Sequence, residues 1–165
     1  MINLDFLIPA FDINRQGLVF YLMLDAQPTS HFRVNSSGSI AKSLERNFVR
    51  VIKIMSSLKR DWSCLETYEY NLRSLKENYN VQDARSADLS LSIAALNIVR
   101  NHNQQSTIDS FIGTGSLRVD GSFNETFLEE VKELAVFQEN PFQRNFITAK
   151  RCNHLFDLED LLNGR

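Results

Sequence analysis

Short, dense apolar runs alternate along this chain with longer stretches that carry helical spacing. Leu18 to Ala26 is an apolar run of strand length. The turn-forming Gln27-Pro28-Thr29-Ser30 and then His31-Phe32-Arg33-Val34-Asn35 predict a hairpin or another sharp connection after it. Ser36-Ser37-Gly38-Ser39 breaks the pattern, and a long helix is predicted from about Ile40 to Leu58. At about 100° per residue, Leu44, Phe48, Val51, Met55 and Leu58 share one side of that helix, while Lys42, Arg46, Arg50 and Lys53 share the other. Tyr68, Tyr70 and Leu72 alternate with polar residues, as a half-buried strand does.

The second half repeats the interleaving. After a polar stretch from Asn78 to Ala84, read as a loop, come a helix from Ser86 to His102 and a strand from Ile108 to Gly113. Leu117, Val119 and Phe123 keep an every-second-residue register through Gly121, a hairpin signature. A helix from Glu125 to Gln138, a strand from Asn145 to Ala149 and a short helix from Leu158 to Leu162 complete the chain. Strands mixed with helices, one hairpin among them, predict an α+β (α/β two-layer) domain with a mixed β-sheet and packed helices.

Composition narrows the function classes. At 165 residues the chain is expected to be a single domain, 1–165, with a core that needs neither metal nor disulfide staples. A net charge of −2 argues against a generally nucleic-acid-binding protein. The stripe of Lys42, Arg46, Arg50 and Lys53 is nevertheless a candidate electrostatic surface for nucleic acid, an acidic partner or a neighbouring subunit, with a solvated helix face as the simplest reading. No apolar run approaches membrane-spanning length, and Met1 to Ala10 contains Asp5 and lacks a basic leading region, so no membrane and a cytoplasmic location are expected. Cys64 and Cys152 belong to no paired spacing and are read as reduced thiols; His31, His102 and His154 form no ligand motif, so no metal is expected. There is no Gly-x-x-x-x-Gly-Lys-Ser/Thr phosphate loop, so no cofactor and no ATPase domain are expected in this chain.

Two segments carry chemistry: Ala84-Arg85-Ser86-Ala87-Asp88 at a helix start, and Thr114-Gly115 through Gly121 followed by Lys132. Between Ser86 and Lys132 the sequence resembles the Lon proteolytic domain and its relatives, the C-terminal domain of RadA (Sms) and the N-terminal domain of ComM-type proteins. The order of flanking elements extends the resemblance over nearly the whole chain. It implies the Lon-protease-domain fold of the ribosomal-protein and GHMP-kinase type, with Ser86 as nucleophile and Lys132 as general base of a Ser-Lys dyad. A buried lysine can take a serine proton, and the helix start beside Ser86 can stabilise an oxyanion.

The sequence departs from the Lon motif at three places. Asp88 replaces a glycine, and Ser-Ala-Asp-Leu resembles the version in RadA, whose domain is not regarded as a protease. Phe127-Leu128 stand where Lon has Gly-Gly, with bulk expected to fill space left open there. A gapless match puts Glu130 at the lysine position, and Lys132, two residues on, stands among glutamates as a surface lysine does. Ser86 also suits a helix N-cap, and Asp88 the positive end of the helix dipole. The leading expectation is therefore a non-proteolytic Lon/RadA-like assembly or interaction module, with a protein partner or self-association, in a ring-like oligomer as the resemblance implies. An ATP-independent Ser-Lys peptidase and a nucleic-acid-associated module are the alternatives.

Overall fold

Ile2–Phe11 (β1) turns back into Gly17–Pro28 (β2), and the two pair antiparallel along their length, with Leu4 opposite Leu24 and Ile8 opposite Phe20. Asp12 makes the turn: its Oδ1 accepts the backbone N–H groups of Asn14 and Gln16, each at 2.9 Å. The structure, a computed structural model, describes residues 1–12, 14–74, 84–108, 111–139 and 145–163. β1 supplies half of the central hairpin, although its alternation of Ile2, Leu4, Ile8 and Ala10 is masked by apolar Leu7 and Pro9 between them.

β2 pairs on its other side with Tyr68–Ser74 (β4), antiparallel, with Ala26 opposite Tyr70 and Leu24 opposite Leu72. Arg33–Val34 (β3) pairs parallel with β4, not with β2, giving a mixed sheet in the order β1-β2-β4-β3. Of the hairpin or sharp connection expected after Ala26, no hairpin forms: the chain crosses to the far side of β4. Pro28 offers no backbone N–H to a returning strand, and the Thr29 N–H is taken by the Thr67 carbonyl at 2.9 Å.

Ser39–Ser57 (α1) and Asp88–His102 (α2) cover one face of this sheet. Leu44, Phe48, Val51 and Met55 of α1 are buried as their spacing predicts, and Phe48 meets Tyr70 edge-on with 5.0 Å between ring centroids. Leu58, at the helix end, is 37% exposed. α2 is buried on all sides from Asp88 to Val99, so its polar residues need internal partners. Asn47 donates to the Asp88 carbonyl (3.1 Å) and Ser92 Oγ (3.2 Å), and the Ser90 hydroxyl lies 2.7 Å from the Gly113 carbonyl and 2.9 Å from that of Leu7.

Phe111–Thr114 (β5) runs parallel to Asn145–Thr148 (β8), and Ser116–Leu117 (β6) forms a hairpin with Phe123–Asn124 (β7). Gly121 closes that hairpin at φ 93° with the His154 ring against it, a place with neither the backbone freedom nor the space for a side chain. Glu129–Glu139 (α3) packs on the opposite face of the sheet, where Ala135 and Val136 meet Leu7, Val19 and Ile112. Leu158–Leu162 (α4) ends the described chain. The polar stretch from 78 onward lies outside the described residues up to 83. Among the described residues no helix is long and apolar enough to cross a membrane, and both cysteines are free thiols.

Candidate functional site

At one end of the β1–β2 hairpin, four segments converge: the end of β1, the turn before α2, the end of β5 and the start of α3. Ala84–Ala87 form a 3-10 turn leading directly into α2, and Ser86 lies within it at 1% exposure. Its carbonyl accepts the Gly115 N–H (3.1 Å), while the Gly115 carbonyl accepts the Leu89 N–H (3.0 Å). The Ser86 turn is therefore laced to Thr114-Gly115 by reciprocal backbone bonds. The helix N-cap position belongs to Ala87, and no side chain caps α2, so the capping role expected of Ser86 is not the one it fills.

Lys132 is the larger correction. It stands in a glutamate-rich run, yet it is 0% exposed, while Glu130, at the gapless lysine position, is exposed. Helical geometry accounts for both: Lys132 lies one turn before the buried Ala135 and Val136, and Glu129, Glu130 and Glu133 occupy the other sides of α3. The Lys132 ammonium position is 3.2 Å from Thr126 Oγ1 and 3.4 Å from Thr114 Oγ1, and the two threonine hydroxyls are 2.8 Å apart. The Thr114 hydroxyl in turn lies 3.4 Å from the Ser86 carbonyl. Ser86 and Lys132, 46 positions apart in sequence by their numbers, thus share Thr114 as a neighbour.

Local structure explains how Lys132 is held. The Thr126 N–H donates to Glu129 Oε1 (3.1 Å), which ties Thr126 to the first residue of α3, and the threonine hydroxyl faces the lysine. The Phe11 ring lies 5.4 Å from Lys132 Nζ, and Phe127 packs edge-on against Phe11 at 5.6 Å. Phe127 is itself 57% exposed, so it lies over the outside of the site and does not fill its interior. Leu128 has φ 57°, the left-handed conformation that glycine adopts freely. At this position the chain carries a leucine in a glycine-like backbone.

Asp88 faces away from any role at the Ser86 hydroxyl that its position in sequence allowed. Its Oδ2 accepts the Leu117 N–H at 2.8 Å, and its Oδ1 lies 3.6 Å from Arg46 Nη2. Burial pushes its carboxyl above the ordinary carboxylate range, with the Leu117 N–H, Arg46 and Arg50 working in the opposite direction. Arg50 donates to the Leu117 carbonyl at 3.0 Å. The basic stripe of α1 is therefore divided: Arg46 and Arg50 turn toward the hairpin and are half-buried, while Lys42 and Lys53 are exposed.

Thr126, Phe11 and the pairing of Asp88 with Arg46 were not read from the sequence. The Thr-x-x-Glu spacing at 126 to 129 was a legible signal for the first; the other two depend on contacts between distant segments. In sequence comparison no protein-family model matches the chain, and no curated protein matches it.

Proposed function

We propose that this protein is an ATP-independent hydrolase of amide bonds, with Ser86 as nucleophile and Lys132 as general base, on a Lon-like domain. The observation that carries the reading is the complete burial of Lys132 against Thr114 and Thr126 beside the Ser86 turn. Desolvation works against the charged form of an amine, and a neutral amine is what a serine hydroxyl needs as its proton acceptor. In the proposed first step Ser86 Oγ attacks the carbonyl carbon, its proton passes to Lys132 Nζ, and the same proton then leaves with the departing amine. The N-terminal end of α2 adjoins Ser86, where its dipole favours a developing oxyanion. Asp88, tied to Leu117 and Arg46, is withdrawn from that position. At 1% exposure Ser86 is closed to a substrate in this conformation.

Turnover of an unfolded model protein without ATP tests this. Wild type cleaves it, and both Ser86→Ala and Lys132→Met do not; cleavage that survives either change rejects the dyad.

A second reading, an assembly module, is favoured by the exposed apolar side chains around α3. Phe127 and Leu134 are each 57% exposed and Phe137 is 85% exposed, a concentration that suits burial against another protein surface. Sedimentation of wild type against Phe137→Glu tests it: the module reading expects a larger species that the charge dissociates, and identical sedimentation of the two counts against it.

A further inference from the structure

We propose that the pocket between α1, the Ala84–Ala87 turn and the β6–β7 hairpin binds a phosphate-type oxyanion, either free or at the end of a larger molecule. The pocket has a volume of about 290 Å³ and is lined by Arg46, Arg50, Arg85, Asp88, Ser116 and Leu117. Among the described residues that line it, three guanidinium groups stand beside one carboxylate. It is separate from the Lys132 environment, and the inference does not depend on the hydrolase reading.

The arginines are brought together by the fold and held in orientation. Arg46 and Arg50 are one helical turn apart on α1, so they leave the same face of the helix. The Leu117 carbonyl holds Arg50 by a hydrogen bond of 3.0 Å, and the Arg46 guanidinium lies 3.6 Å from Asp88 Oδ1 as an ion pair. Asp88 is pinned in turn by the Leu117 N–H. Arg85 joins them from the Ala84–Ala87 turn. A guanidinium carries five N–H donors, so the contacts that orient Arg46 and Arg50 leave donors on each for a ligand.

The count of guanidinium groups selects the ligand. A carboxylate presents two oxygens and is matched by a single guanidinium fork, whereas a tetrahedral phosphate offers oxygens in several directions to several forks. Three like charges in one pocket also repel one another, and a dianion offsets more of that repulsion than a monoanion. The pocket is at the small end of ligand-site sizes, enough for a phosphate and a few attached atoms.

The experiment is calorimetric titration of the whole chain, at constant ionic strength, with inorganic phosphate, glycerol phosphate and acetate. Both phosphates bind and acetate does not. Tighter binding of glycerol phosphate assigns the pocket to the end of a larger molecule, and equal binding assigns it to the free anion. Arg85→Gln and Arg50→Gln each weaken phosphate binding by at least about tenfold, the equivalent of about 1.4 kcal/mol. Because Arg50→Gln also removes a contact to the hairpin, nitrogen NMR of the arginine side chains in the wild type is the second readout: phosphate shifts the Arg46, Arg50 and Arg85 signals. Equal responses to phosphate and acetate, unchanged binding in Arg85→Gln, or arginine signals that do not move overturn the proposal.

Discussion

Lys132 Nζ lies 3.4 Å from Thr114 Oγ1, across 18 residues of chain that include a whole hairpin and the start of α3. That contact places an amine with no exposure to water beside the turn that carries Ser86. The cost of taking an amine out of water works against the hydrogen bonds that hold it there.

Lys132→Met is expected to keep the fold while removing hydrolysis. Methionine matches the length of the lysine stem, and without the amine the Thr114 and Thr126 hydroxyls, 2.8 Å apart, still pair with each other. Urea denaturation of the variant checks this; a loss of more than about 2 kcal/mol assigns Lys132 a structural role.

Gly17 controls where α3 sits. A Cβ there meets the Val131 carbonyl oxygen and, at 2.8 Å, the Ala135 side chain. Gly17→Ala is expected to push α3 outward and destabilise by about 1–3 kcal/mol, the usual cost of overpacking. Because Lys132 follows Val131, hydrolysis should fall more than stability alone explains. Thermal unfolding together with turnover measured well below the transition separates the two effects.

Leu128 is expected to accept glycine at little cost. Its left-handed backbone is unfavourable for leucine by about 1–2 kcal/mol, which offsets the loss of a half-buried side chain and the greater freedom of glycine when unfolded. Leu128→Gly should change stability by less than about 1 kcal/mol, against about 2–5 kcal/mol lost in Leu44→Ala in the fully buried core. Equal losses in the two variants would show that the leucine contacts outweigh its backbone strain.

Acid stability carries opposing signs at named carboxylates. Hydrogen bonds to Ser122 hold Asp120 below its ordinary value, and those from Arg33 and Asn35 do the same for Glu69. Their contributions are present at neutral pH and are lost as pH falls through the folded values. Asp88 is raised by burial, so the folded state takes up its proton first and gains stability relative to the unfolded chain as pH falls toward the ordinary carboxylate value. Asp88→Asn is expected to steepen the loss of stability between about pH 6 and about pH 3, and Asp120→Asn to flatten it. Urea midpoints across that range check both; the same slope in all three proteins contradicts the assignment.

Elements with strong periodicity were legible in the sequence, and α1 is the clearest: Leu44, Phe48, Val51 and Met55 repeat at helical spacing because one face packs on a sheet. β1 was not, because both of its faces are covered, by α2 on one side and by α3 on the other, which blurs the alternation of a half-buried strand. The pairing of β3 with β4 depends on a crossover that local turn residues do not encode. Ser86 was found at the family motif and Lys132 two residues beyond the gapless lysine position, but their surroundings were misjudged. Charge pattern along α3 marks Lys132 as exposed, and only the packing of α3 against β1 and β2 shows which side of the helix is closed.

Reaction of the intact chain with an activated acyl ester, read by intact mass and peptide mapping, tests the Ser86–Lys132 dyad directly. One acyl group per chain is expected, located on Ser86, absent in Ser86→Ala and formed far more slowly in Lys132→Met. Acylation that maps to another residue, or that proceeds unchanged without the Lys132 amine, contradicts it.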